Sequence, residues 1–304
     1  MKIFVTGSTG MIGKRIVRFL EKNHEVVECA RSKGVNILDY ATLEKTMKGC
    51  QVVIHAAGEI DETKGENELR RVNVEGTKNV LEAAEKNKVK RFIHVSTVGV
   101  YVESKQKIDE NAALRTLTTY ERTKKEAEDL VRAYQATFNT TLVRSALVMG
   151  PNPYWGQIFK IIRKGFPLIG KGENAWQMVH VDDLAGFIVH VLPHPKAKNE
   201  IYVVAEKKNH TLREVVDMIA DIQHVKHVKT IPKGVGILAS YAFALQGKIL
   251  GKKPLLIPAH VKRLFKNREY DIRKALSTGW KPKYDTYAAL EKTYAELKEN
   301  GIAS

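Results

Sequence analysis

The chain has 304 residues, 43% apolar and 28% charged, with a formal net charge of +16. This is the composition of a soluble globular protein long enough for one elaborate domain or two. Its two cysteines, Cys29 and Cys50, lack metal-ligand spacing. They read as reduced core thiols of a cytoplasmic, reducing compartment, so no metal centre is expected.

The first elements carry the strongest signal. A short apolar run, Ile3–Val5, reads as a buried strand and breaks into Gly7, Gly10 and Gly13. It is too short for a signal peptide. An apolar-periodic helix follows at once (Ile12, Ile16, Val17, Phe19, Leu20). Strand, glycine turn and helix N-terminus make a pyrophosphate cradle, with Gly7, Ser8, Thr9, Gly10, Met11, Ile12 and Gly13 around the ligand.

Glu25–Cys29 reads as the second strand. An acidic residue about twenty positions after the glycine turn would bind the ribose 2′-hydroxyl of NAD. Ala30 stands there instead, followed by Arg31 and Ser32, which favours NADP while leaving NAD usable. Asn36 and Ile37 should lie beside the adenine. Tyr40–Lys48 reads as a helix with Asp39 as N-cap. Val52–His55 is a buried strand running into Ala56, Ala57 and Gly58. Glu66–Asn87 reads as one long helix, in which Asn73 is a mediocre helix former. Arg91–Val95 is a strand followed by Ser96 and Thr97, hydroxyls at a strand end where ligands gather. Thr119–Phe138 is a helix and Thr141–Val148 a strand. Within that helix Tyr120 and Lys124 share one face. A nearby ammonium lowers a phenol's pKa and lets it exchange a proton with an alcohol or ketone.

After Gly150 the pattern loosens, with helices at Gln157–Lys164 and Asp182–Leu192 and a strand at Val179–Val181. Alternating strands and helices call for an α/β fold, a doubly wound parallel sheet. Residues 1 to about 150 would form the nucleotide domain. Residues 151–304 would form a smaller substrate-binding cap, with elements near 176–200 returning to the sheet. Gly234–Gly247 holds no charge and is flanked by Lys226, Lys229, Lys233, Lys248, Lys252 and Lys253. It is too short to span a bilayer. Two readings stand: a helix on the cap core, or a lid over a lipophilic pocket that touches a membrane surface through the lysines. Scattered lysines elsewhere read as solvated surface, although a field of that sign attracts anionic ligands. No nucleic-acid motif is present.

Several segments, in order, resemble the extended short-chain dehydrogenase/reductases of the epimerase/dehydratase superfamily. They are Thr6–Gly13, Val53–Gly58, Val72–Thr77, Phe92–Thr97 with Val100-Tyr101, Tyr120–Lys124, Val143–Ser145 and His180–Ala185. The resemblance implies a Rossmann-type fold and an oxidoreductase site. In it Tyr120 is the acid/base, Lys124 lowers its pKa and binds the nicotinamide ribose, and Thr97 holds the reacting oxygen. Asn73 joins that set. Val95, Ser96, Ser145 and Val148 line the cofactor, and Asp182 and Asp183 organise the domain junction. It also implies a homodimer built on helices Glu66–Asn87 and Thr119–Phe138. Two positions depart from the family pattern: Ser145 replaces its proline, and Asn36 its aspartate.

Sugar-nucleotide members carry Arg-Asp before the strand that ends in Val-Asp-Asp, where this chain has Trp176-Gln177. Loss of that cation favours a flatter, more apolar ligand, with Trp176, Tyr154 and Thr97 on the substrate side. The tail Tyr270–Ala275 and Gly279–Pro282, and the uncharged helix followed by Pro254 and Pro258, resemble the dihydroflavonol-reductase and 3β-hydroxysteroid-dehydrogenase-like branch. The leading expectation is therefore hydride transfer between NADP(H) and a ketone or secondary alcohol on a small ring or lipid-like substrate. A UDP-sugar 4-epimerase or dehydratase with retained NAD is the alternative, and a non-catalytic NADP sensor the third.

Overall fold

The computed structural model describes residues 1–251 and 258–302; Lys252, Lys253 and Pro254 lie outside the described residues. The strands in chain order are β1 (Lys2–Thr6), β2 (Glu25–Cys29), β3 (Val52–His55), β4 (Arg91–Thr97), β5 (Asn139–Ser145), β6 (Leu147–Met149), β7 (Leu168–Ile169), β8 (Met178–His180), β9 (Glu200–Val204) and β10 (Thr230–Ile231). The helices are α1 (Met11–Leu20), α2 (Tyr40–Thr46), α3 (Glu66–Arg70), α4 (Gly76–Lys86), α5 (Thr119–Ala133), α6 (Pro153–Arg163), α7 (Val181–Val191), α8 (Leu212–Ile222), α9 (Lys233–Leu250), α10 (Pro258–Leu264), α11 (Arg273–Ser277) and α12 (Thr286–Glu299).

Six parallel strands build the main sheet in the order β2-β1-β3-β4-β5-β9. Its strands are near-continuous apolar runs because both faces are covered. Successive side chains alternate between the two covers. Ile3, Val5, Ile54 and Ile93 pack with Ile16 of α1 and Leu184, Phe187 and Ile188 of α7. Phe4, Val53, Phe92 and Leu142 pack on the other side with Val80 and Leu81 of α4 and Val131 of α5. A third core joins Trp155 and Phe159 of α6, Leu212 and Ile219 of α8, and Leu290 and Leu297 of α12. Strand order changes direction between β1 and β3, which opens a crevice beyond their carboxyl ends.

Most expected elements appear, with four differences. β4 runs on through Ser96 and Thr97 by pairing with Arg144 and Ser145 of β5. The expected Glu66–Asn87 helix is interrupted by a π-helical turn, Arg71–Glu75, between α3 and α4. The expected Thr141–Val148 strand splits at Ala146, and β6 leaves the main sheet to pair with β8. The expected Thr119–Phe138 helix ends at Ala133, and Tyr134–Phe138 continue as turns. Two elements return to the sheet: α7 packs on α1, and β9 pairs with β5. Asp39 caps α2 through Thr42 N. Cys29 and Cys50 are free and buried. The uncharged segment forms most of α9. Among the described residues no helix is long and apolar enough to cross a membrane.

The glycine turn is fixed sterically. Gly7 has φ +67°, and a Cβ there would lie 2.8 Å from Ala57 N. A Cβ at Gly13 would lie 2.0 Å from the Gly7 carbonyl oxygen, so α1 rests directly on the turn. Gly13→Ala is expected to cost about 1–3 kcal/mol through this overlap and to abolish dinucleotide binding. Thermal melting with and without dinucleotide checks both, and an unchanged melting temperature would contradict the packing.

Candidate active site

The glycine turn presents an anion site. Gly10 caps α1 without a side-chain hydrogen bond, and no acidic residue stands in the first turn. The free N–H groups there therefore face outward with the positive end of the helix dipole. Ser8 Oγ in this turn and Ser96 Oγ near the end of β4 are buried without partners among the described residues. Such atoms, beside a turn that excludes any Cβ, fit a polar dinucleotide lying across the crevice. Ala56 N donates to the Thr6 carbonyl (3.3 Å) and Ala57 N to Thr6 Oγ1 (3.2 Å), which holds the β3 end against the turn. Gly58 is exposed just beyond.

Beyond the end of β2, Arg31 and Ser32 are exposed, and Ser32 Oγ donates to Thr9 Oγ1 (3.2 Å). Glu28 is paired with Lys33 (3.0 Å). Asn36 accepts from Leu38 N (3.1 Å). Ile37 differs from expectation: its side chain is buried against Gly76, and its carbonyl accepts from Asn79 (3.1 Å). At the other end, Met11 Sδ accepts from Asn152 (3.0 Å), and Ile12 packs on the α1–α7 core. Ser145 Oγ donates to the Ser96 carbonyl (3.2 Å). The Val148 carbonyl accepts from Trp155 Nε1 (2.7 Å), so it supports α6.

Thr97 ends β4, and Tyr120 and Lys124 lie one turn apart on α5, which packs against β4. Thr118 and Glu121 form a capping box that starts α5 at this point. Thr97 Oγ1 accepts from Gly99 N (3.1 Å), which leaves its O–H free to donate. Lys124 Nζ donates to the Val95 carbonyl (2.8 Å) and lies 3.2 Å from His94 Nε2. Burial pulls Lys124 down to about 8. Tyr120 reverses the expectation of a lowered phenol. Burial, then the Glu121 and Glu62 carboxylates, pushes it up to about 12, partly opposed by Arg263. Asn73 also has a different place. Its Nδ2 donates to the Glu59 carbonyl (2.9 Å) and Thr123 Oγ1 (3.0 Å), and its Oδ1 accepts from Glu59 N (2.7 Å). The π turn swings this amide inward to clamp the loop after β3 to α5, a positioning role.

Two arginines that the sequence reading passed over, Arg263 and Arg268, lie near Trp176 and the start of α5. Arg268 lies over the Trp176 ring at 3.8 Å and donates to the Arg263 carbonyl (3.2 Å). No carboxylate pairs with Arg268 among the described residues, and burial pulls its guanidinium below its ordinary value. Arg263 pairs with Glu62, which also accepts from Tyr120 N (3.3 Å). Tyr154 is exposed and feels both arginines. Gln177 is spent on the fold, bonding the Glu206 carbonyl (2.6 Å) and Tyr270 N (2.7 Å). Asp182 pairs with Arg15 of α1 (3.1 Å), and Asp183 accepts from Lys283 N (2.8 Å) and Tyr284 N (3.1 Å). The missed signal was a basic residue beside the quoted Tyr270-Asp271 motif. Among the described residues no group of His, Cys, Asp and Glu is arranged to hold a metal.

A family model described as NAD dependent epimerase/dehydratase family matches residues 3–205. The chain belongs to this family. It is therefore an NAD(P)-dependent enzyme of the extended short-chain dehydrogenase/reductase type. N-acetyl-alpha-D-glucosaminyl-diphospho-ditrans,octacis-undecaprenol 4-epimerase of Escherichia coli O157:H7 is 26% identical over 96% of this chain and 93% of its own length. UDP-glucose 4-epimerase of Vibrio cholerae is 27% identical over 92% and 90%. The crystal structure of UDP-glucuronic acid 4-epimerase from Bacillus cereus in complex with NAD has the same fold, with a TM-score of 0.79, 22% identity and 99% coverage of both chains.

The folded chain releases the Lys124 proton near pH 8, whereas an unfolded lysine keeps it to about 10.4. Between those values unfolding takes up a proton, so raising the pH stabilises the fold. The parent is expected to gain melting temperature relative to Lys124→Met as pH rises through this window. A pH-independent difference would contradict the assigned burial.

Proposed function

We propose that the chain is a 4-epimerase of sugars carried on a diphosphate, retaining its dinucleotide through each turnover. Arg268 carries this reading. A half-buried guanidinium without a carboxylate partner among the described residues, held 3.8 Å over the Trp176 ring and bonded to the Arg263 carbonyl, is a ready partner for phosphate oxygens. Trp176-Gln177 argued for an apolar ligand because a cation was missing, but Arg268 supplies one from the neighbouring segment. The related epimerases in Escherichia coli and Vibrio cholerae support the same class, since a sugar diphosphate is common to both names.

The bound dinucleotide would supply a two-electron acceptor and donor, held by the glycine turn and the Ser8 and Ser96 hydroxyls. Tyr120 Oη would take the proton of the sugar 4-hydroxyl and, after the oxidised sugar turns, return it to the same oxygen, with C4 now inverted. Thr97 donates its free O–H to the same oxygen. Lys124, four residues along the helix, supplies the cation that favours phenolate once substrate is in place. Asn73 keeps the loop after β3 in register with α5.

Incubation with UDP-glucose or UDP-N-acetylglucosamine is expected to yield the C4 epimer with no net change in nicotinamide absorbance. Tyr120→Phe should abolish turnover but keep the dinucleotide. Arg268→Leu should raise KM about ten- to a hundredfold, the value of charge-assisted hydrogen bonds. Net consumption of NADPH with ketone substrates and no epimer would select the oxidoreductase reading instead.

The adenosine end accepts a 2′-phosphate. Ala30 removes the usual carboxylate, Lys33 occupies Glu28, and Arg31 stands exposed. NADP is the preferred cofactor in this reading, with NAD also accepted. Arg31→Ala should weaken NADP by about tenfold with little effect on NAD. Comparative thermal shifts read this, and a larger shift with NAD in the parent would contradict it.

A further inference from the structure

Helix α9 inverts the usual amphipathic arrangement. A helix on a soluble protein turns its large apolar side chains inward. In α9 the inward stripe is Gly236, Ser240 and Gly247, with Gly236 packed on Ile169. The outward stripe is Val235, Leu238, Tyr241 and Leu245, each between 54 and 73% exposed. Their spacing places them on one face of the helix. Small residues let α9 lie close to the body; among the described residues nothing buries the large ones, and an apolar patch of this kind marks a docking surface.

The surrounding charge identifies the partner. From Ile222 to Arg268 the sequence holds ten lysines and arginines and no aspartate or glutamate. Lys226, Lys229 and Lys233 before or at the start of α9, and Lys262 on the adjoining α10, are exposed. Among the described residues none of these four lysines has a carboxylate partner. A second copy docked symmetrically would bring this positive segment against itself. An anionic bilayer offers negative headgroups to the lysines and an acyl boundary to Leu238 and Leu245. The helix spans only about 27 Å along its axis, so it would lie along the surface.

We infer that α9 and the basic residues around it dock the enzyme on an anionic lipid bilayer. The docked helix adjoins the substrate side, because α10 packs on α9 and carries Arg263, paired with Glu62 beside Tyr120. This goes beyond the epimerase reading and stands without it, since docking uses neither Tyr120 nor Arg268.

The full chain is expected to sediment with phosphatidylcholine vesicles containing phosphatidylglycerol but not with phosphatidylcholine alone, and added salt should release it. Leu238→Glu/Leu245→Glu should lose about tenfold or more of this binding, with an unchanged melting temperature and dinucleotide shift. Lys226→Gln/Lys229→Gln should weaken it without touching the apolar face. Absence of binding to anionic vesicles would overturn the inference, as would equal binding by both double variants. A parent dimer that Leu238→Glu/Leu245→Glu converts to monomer would assign the face to a second copy and also overturn it. None of these readouts depends on epimerase activity, so either proposal can fail alone.

Discussion

The site depends on one buried ion pair. Arg144 of β5 and Glu128 of α5 are each 1% exposed and bonded through two guanidinium nitrogens, with Arg144 Nη2 to Glu128 Oε2 at 2.7 Å. Arg144 also donates to Tyr101 Oη (2.8 Å). Burial works against the guanidinium charge, and Glu128 more than offsets it, so Arg144 stands above its ordinary value. Such a pair adds little stability over a well-packed apolar one, but it tolerates no other register because a misplaced partner leaves a buried charge alone. It sets how α5 lies on the sheet. Tyr120, Lys124 and Glu128 follow at intervals of four, so fixing Glu128 also fixes where Tyr120 and Lys124 stand.

From Lys124 the constraint passes to the dinucleotide side through buried imidazoles. His94 meets Lys124 Nζ, and its ring lies 5.2 Å from that of its register partner His55. His55 bonds Thr6 Oγ1 (2.7 Å) and Thr77 Oγ1 (2.8 Å), and Thr6 leads into the glycine turn. Burial and then Lys124 hold both rings neutral, with His55 lowered to about 3. The two imidazoles between α5 and the turn therefore stay uncharged across the neutral range.

The dinucleotide half was legible because each feature is local. Gly7, Gly10 and Gly13 sit within one turn, and the strand runs carry their own periodicity. The placing of Tyr120 and Lys124 on one helix was legible for the same reason, the two being one helical turn apart. What escaped is non-local or runs against a local rule. The π turn at Asn73 looks like any helix in sequence, since its cause is an amide drawn to Glu59 and Thr123 from outside the helix. Glu128 reads as a solvated charge until Arg144 is set opposite it. Arg268 reads as surface until its segment is seen to cross back beside Trp176, where the two form a parallel bridge.

The two halves meet at the first turn of α5, where two carboxylates serve both. Glu62 accepts from Tyr120 N and pairs with Arg263; Glu121 caps the helix and lies 3.6 Å from Lys266. These contacts draw the segment bearing Arg263 and Arg268 onto α5. The same carboxylates, after burial, raise the Tyr120 phenol. Drawing that segment onto α5 thus makes the Tyr120 phenol a weaker acid than an exposed one.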